Sequence, residues 1–125
     1  RIECDFICIA IGLSPTHELL YQAGCEMKFV PELGGLVPMR NKYGETTVEG
    51  VYVAGDVAGI EEATAAMMEG RIAGIDAAIK IGYGGDEALK IREEVVRDLK
   101  EFREGPFGAR IVAGLQKVTM EEGGT

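Results

Sequence analysis

An acidic residue at the end of an apolar strand, beside a glycine and just ahead of a helix, is well placed for chemistry. Residues 46–56 read Thr-Thr-Val-Glu-Gly-Val-Tyr-Val-Ala-Gly-Asp. In open α/β sheets, ligands bind outside the carboxyl ends of strands. Gly55 would permit close backbone approach there. The Asp56 carboxylate can accept hydrogen bonds from a sugar-like hydroxyl, and the amides opening the next helix can face an electron-rich group or a phosphate. Taken alone, the Gly-Asp pair also has a plainer reading, in which Asp56 caps the helix.

The other reactive side chains point less clearly to a site. His17 is the single histidine. It could serve as an acid or base, but its place after Pro15 reads better as a solvent-facing helix position. Cys4 and Cys8 lie four apart in an apolar run. On one strand they would share a face roughly 13 Å apart, too far for a redox pair. They read as small buried hydrophobes, as does Cys25. Three cysteines without finger or ribbon spacing make neither a disulfide framework nor a structural zinc site. Met67 and Met68 read as packing residues. No metal ligand set and no catalytic residue emerges.

The elements that would position Asp56 follow from periodicity. Residues 2–11 form a near-continuous apolar run closed by Gly12 and Pro15, the pattern of a buried strand. A short helix follows Pro15 and ends at Gly24. Residues 25–30 make a second short strand, and 31–41, with Gly34-Gly35 and two prolines, a loop or edge strand. Residues 50–54 read as another buried strand. From Glu61 to about Ile81 a helix rich in Ala and Gly would allow close approach to a sheet or another backbone. Asp86 caps a further helix running to about Glu104, with Leu89, Val95, Val96, Leu99 and Phe102 as its apolar stripe. A last amphipathic stretch covers 107–118, and 121–125 should fray. The fold class is therefore α/β over residues 1–82, with a helical extension over 83–125.

Composition sets outer bounds. The 125 residues include 13 Lys and Arg against 21 Asp and Glu, a net charge of −8. That surface repels phosphate backbones and anionic lipid, which argues against nucleic-acid partners. No apolar run approaches the roughly 20 residues of a membrane span. With no signal peptide and no disulfide framework, the expected location is cytoplasmic. One Asn and two Gln among many Glu and Lys hint at a heat-adapted source.

The segment ending in Gly55-Asp56 resembles the second flavin-binding motif of the two-dinucleotide-binding-domain flavoproteins. That motif has a Thr ten positions before the Asp, where Thr46 stands. The resemblance implies that Asp56, with Gly55 beside it, contacts the ribityl chain of FAD. It implies that amides near Glu62 and Ala63 approach the pyrimidine edge of the flavin ring. Val53 stands where the family usually has Ala. Residues 5–15, Asp-Phe-Ile-Cys-Ile-Ala-Ile-Gly-Leu-Ser-Pro, resemble the segment that returns the chain from an NAD(P)-binding insert to the FAD domain, with Gly12 and Pro15 carrying the match. The two marks in this order, some 40 residues apart, are more specific than either alone.

Further stretches, from Leu-Ser-Pro-Thr-His-Glu-Leu-Leu to Glu-Gly-Arg-Ile-Ala-Gly, are similar to the FAD-binding subunit of heteromeric amino-acid dehydrogenases and oxidases. These include dye-linked proline dehydrogenase, opine oxidase, hydrogen cyanide synthase and sarcosine-oxidase-like proteins. The likeness is good over about residues 5–80 and loose over the tail. It implies a partial FAD-binding Rossmann-like domain and flavin-dependent oxidation of an amino or imino compound, a small-molecule substrate. The alternatives are an NADH-dependent flavoprotein reductase or oxidase, and a non-catalytic assembly module. There is no Gly-x-Gly-x-x-Gly here to bind pyrophosphate. Opening on Arg1 without Met, the chain reads as the C-terminal portion of a longer subunit. Its expected partners are a second subunit, the N-terminal FAD/NAD(P)-binding portion and, in isolation, further copies of itself.

Overall fold

An apolar strand buried on both faces needs neighbouring strands to pair with and helices to cover it, and residues 2–11 have neither. In the structure, a computed structural model describing residues 1–120, this run is extended, unpaired and outside any strand. Ile2, Phe6, Ile7, Ile9, Ile11 and Leu13 are 71–93% exposed. Cys4 and Cys8, expected inside, are exposed with them. The cause is plain: among the described residues the one sheet is a two-stranded hairpin elsewhere, and the run's large side chains are left open to solvent.

The chain first folds at helix α1, Glu18–Gln22. His17 is its N-cap residue, and its Nδ1 lies 3.2 Å from the carbonyl oxygen of Pro15. Strands β1, Met27–Val30, and β2, Gly35–Pro38, pair antiparallel with Val30 opposite Gly35. A single 3-10 turn, Pro31–Leu33, joins them. The stretch expected as loop or edge strand thus contains both the turn and β2.

Residues 50–54 are not a strand of a ladder, contrary to expectation. They meet residues 44–46 through one isolated bridge, Glu45 to Tyr52. The Thr46 amide donates to Val51 O and the Val53 amide to Gly44 O, each at 2.8 Å. The pairing is too short to continue because Gly50 and Gly55 both take positive φ and turn the chain at either end. Val53 is nevertheless buried, beside Leu20, Cys25 and Ala58.

Helix α2 spans Ala63–Lys80, α3 Gly85–Arg103 and α4 Gly108–Leu115. Helix α3 is N-capped by Gly84, not Asp86, which lies in the first turn where its carboxylate still suits the helix dipole. Helices α2 and α3 share a core of Ala65, Ile72, Val95 and Leu99, with Met68, Ile91 and Val96 at its margin. Leu89 and Phe102, expected in that stripe, are about two-fifths exposed at 39% and 40%. Met67 is exposed as well. On the outer side of α2, Gly70 and Gly74 have open space where a Cβ would stand. Helix α4 packs on the Pro31–Leu33 turn, enclosing Leu33 with Val30, Val37 and Val118. The expected fraying of 121–125 lies outside the described residues.

Glu45 ties the turn before Tyr52 to the end of α2. Its Oε1 accepts the Gly50 amide at 2.8 Å and pairs with Lys80. The Gly50 amide first, and Lys80 second, hold its carboxyl below the ordinary 4.5. A depressed pKa contributes stability above the unfolded value and loses it as pH falls through the folded one. Glu45→Gln should therefore lower the melting temperature at pH 7, and in thermal melts across pH the difference from wild type should shrink as pH falls below about 4.5 and through the depressed folded value. The exposed apolar run and the bare face of α2 make a second expectation. Light scattering of the isolated chain should show self-association rising from micromolar to millimolar concentration. A monodisperse monomer throughout would contradict it.

Candidate functional site

Ala54 is extended, and Gly55 then turns the chain at φ +73° into a 3-10 turn, Gly55–Val57. A Cβ on Gly55 would already touch Ala66 Cβ at 3.4 Å, so both conformation and space favour glycine. The Asp56 side chain is exposed, and its carboxylate has no hydrogen-bond partner among the described residues. It caps nothing: α2 begins seven residues later, and its N-cap residue is Glu62. Glu62 makes no side-chain cap bond either. Ala63 and Thr64 therefore open α2 with amides that have no intrahelical acceptor. Both residues are exposed.

The upstream mark comes to the same region. Gly12 turns at φ +115°, and Pro15 is buried. Leu13, next to Gly12, and Pro15 meet the Gly34-Gly35 pair where the turn enters β2. Positions for a Cβ on Gly34 and Gly35 would lie 3.5 Å from Leu13 O and Pro15 Cδ respectively. Ile60 reaches the same spot from the other side, its amide donating to Leu33 O at 2.9 Å. Gly12 and Glu62 line one cavity of about 730 Å³, with Phe102, Arg103, Phe107 and Arg110. Leu13 and Ile60, far apart in sequence, are thus gathered around Gly34.

Thr46 stands apart. It is buried, and its hydroxyl is engaged locally. It donates to Val48 O, accepts the Val48 amide, both at 3.2 Å, and accepts Cys25 Sγ–H at 3.4 Å. It shapes the turn that leads to Tyr52.

Four residues not singled out from the sequence organise the site. The Gly55 amide donates to Glu69 Oε2 at 2.8 Å. Glu69 Oε1 accepts Arg103 Nη2 at 2.6 Å. Arg103 also grips Glu61 through Nη2 at 2.6 Å and Nε at 2.9 Å. Burial opposes the charge of Arg103, but Glu61 and then Glu69 outweigh it and raise its pKa. Arg40, 5% exposed, lies near this cluster and donates Nη1 to Pro38 O at 3.1 Å. Burial lowers its pKa, against the pull of Glu69 and Glu61. The available signal was a carboxylate, Glu69, set inside a helix of small residues. No group of His, Cys, Asp or Glu among the described residues could hold a metal ion.

FAD suits what is exposed here. An unengaged carboxylate on a glycine turn matches a ribityl hydroxyl, and free first-turn amides match the electron-rich edge of an isoalloxazine. Residues 1–70 match the family described as pyridine nucleotide-disulphide oxidoreductase. The chain belongs to that family, whose members are FAD-binding oxidoreductases. It is 34% identical over 89 residues to an opine oxidase subunit of Rhizobium meliloti (strain 1021), covering 71% of the chain and 19% of that protein. It is 42% identical over 66 residues to the corresponding opine oxidase subunit of Agrobacterium tumefaciens (strain Ach5), covering 53% and 13%. Hydrogen cyanide synthase subunit HcnB of Pseudomonas protegens is 29% identical over 129 residues, covering 100% and 27%. The chain thus spans between 13% and 27% of the length of these relatives. No solved structure matches it. None of the helices is long and apolar enough to cross a membrane, among the described residues.

Gly34 tests the gathering of the two segments. Its φ is +91°, and a Cβ would lie 2.8 Å from Ile60 Cγ1. Gly34→Ala should cost roughly 1–3 kcal/mol of stability from the left-handed backbone alone. Chemical denaturation should show that loss, to which displacement of the Ile60 side chain would add.

Proposed function

We propose that, in the whole protein, this chain supplies the flavin-ring end of the FAD site of an oxidoreductase. That enzyme would oxidise an amino or imino compound and deliver the electrons to an acceptor. Residues 1–82 are the C-terminal segment of its FAD-binding domain and residues 83–125 a helical extension. The reading is carried by one observation: Asp56 presents a carboxylate that no group among the described residues uses, on a glycine turn, shortly before the open N-terminus of α2. The names of the similar proteins, subunits of an opine oxidase and of a hydrogen cyanide synthase, support the substrate class and a second subunit as partner. The N-terminal FAD/NAD(P)-binding portion would provide the pyrophosphate contacts. A cytoplasmic location accords with this assignment.

FAD, when bound, supplies the hydride-accepting centre. The role of this chain is to hold and orient it. Asp56 accepts a hydrogen bond from a ribityl hydroxyl. The amides at the start of α2, at Ala63 and Thr64 after Glu62, would face the pyrimidine edge of a bound flavin and would favour negative charge there. Gly55 and Gly12 permit close backbone approach at the two turns. Thr46 acts at one remove, by fixing the turn that leads into Tyr52 and Val53.

A carboxylate-to-hydroxyl bond of this kind is worth roughly 1.5–3 kcal/mol. Asp56→Ala should then weaken FAD retention about 10- to 100-fold, since 1.4 kcal/mol is tenfold. The melting temperature of the apoprotein should hardly move, because Asp56 is exposed and has no internal partner. Flavin content and thermal melts of wild type, Asp56→Asn and Asp56→Ala decide it. Normal flavin content in Asp56→Ala would defeat the assignment.

A further inference from the structure

We propose that Arg103, the last residue of α3, is a positioning residue for the loop of residues 55–62. This rests on the FAD reading above, because that loop carries Asp56 and ends at Glu62. The loop has few bonds of its own. Ala58 and Gly59 donate back to Gly55 O and Asp56 O, and Ile60 donates to Leu33 O. What holds its two ends comes from outside. At the first end the Gly55 amide is bound by Glu69, and Glu69 is bound by Arg103. At the second end Glu61 is bound directly by Arg103. One guanidinium therefore braces both ends of the segment that presents Asp56.

The brace is specific to arginine. Nε and Nη2 take the two oxygens of Glu61, and Nη2 also reaches Glu69, which a single ammonium on a flexible stem does not reproduce. It also works with little solvent. The side chains of Arg103, Glu61 and Glu69 are 12%, 12% and 15% exposed. Without Arg103 the two carboxylates would lose the cation they share, with Arg40 left nearby, and Glu69 would be drawn toward water and away from the Gly55 amide. Arg103 borders the cavity that Gly12 and Glu62 also line, with its Nε and Nη2 engaged by Glu61 and Glu69. It acts through Glu69 and Glu61, and it links a residue of the helical extension to the flavin-facing turn.

The test compares the FAD-loaded holoprotein with Arg103→Met, Arg103→Lys and Asp56→Ala forms. Amide hydrogen exchange is read over residues 55–62 and, as a control, over 27–38, in the presence and absence of FAD. Flavin release rate and visible circular dichroism of the bound flavin are read alongside. Loss of a charge-assisted bond should speed exchange over 55–62 roughly tenfold or more in Arg103→Met, with the control segment unchanged. Flavin release should quicken and the flavin dichroism shift, with Arg103→Lys between wild type and Arg103→Met. Unchanged exchange over 55–62 overturns the proposal, as does equal acceleration over 27–38, which would mark general loosening. Faster exchange with wild-type flavin release and dichroism also overturns it, provided Asp56→Ala loses flavin. If Asp56→Ala retains flavin, the FAD reading fails, and the brace stands or falls on exchange alone. Should Arg103→Met not fold, Arg103→Lys and Glu61→Gln carry the same comparison.

Discussion

Two carboxylates of one helix region, nearly out of water, need a cation, and Arg103 is the group that meets them. Most of the site's order depends on that need. Removing charge from water is costly, and attraction repays it only where geometry is good and the remaining donors and acceptors are satisfied. Here the condition holds: Glu61 is gripped at both oxygens, and Glu69 divides its oxygens between Arg103 and the Gly55 amide. Arg40 adds a second buried cation close by, so two arginines offset two glutamates. The cluster joins α3, α2 and the glycine turn in one charge-balanced unit.

A second polar network lies about two turns further along the same face of α2. Tyr52 donates its hydroxyl to Asp76 Oδ2 at 3.0 Å, and Arg92 of α3 pairs with the other oxygen of Asp76. Burial, and then Asp76, push the Tyr52 phenol upward, so it stays a donor across the physiological range. Arg92 stacks over the Tyr43 ring at 3.7 Å, while the Tyr43 hydroxyl donates to Glu93. The stretch before Gly55 is therefore anchored through Tyr52 and the turn itself through Glu69. Between these two anchors lie the apolar contacts of Ala65, Ile72, Val95 and Leu99 that bring α2 and α3 together.

Much of this is legible from residue order. The helices end near their expected breaks because Gly82 to Gly85 and Gly105-Pro106 stop them whatever the packing. The turn at Gly55-Asp56 is legible because glycine next to a strand-end acid has few other uses. Residues 2–11 depart from expectation for the opposite reason. A continuous apolar run specifies burial on two faces, yet burial is a property of neighbours, and the described chain has none for it. Residues 50–54 carry a strand composition, but turns at both ends leave room for only one bridge. Cys4 and Cys8 share the fate of the segment that contains them.

By itself, then, the sequence determined the local things: where helices begin and stop, which glycines turn the chain, and that an acidic side chain is presented at a turn. These depend on backbone sterics and on periodicities of a few residues, which any window of the chain carries. Only the tertiary structure decided that Leu13 and Ile60 meet at Gly34, that Thr46 turns inward, and that Asp56 caps no helix. It alone singled out Arg103 among 13 Lys and Arg side chains. Which cation reaches which carboxylate depends on how α2 and α3 lie against each other. That packing is set by long-range apolar contact, which no spacing within one segment encodes.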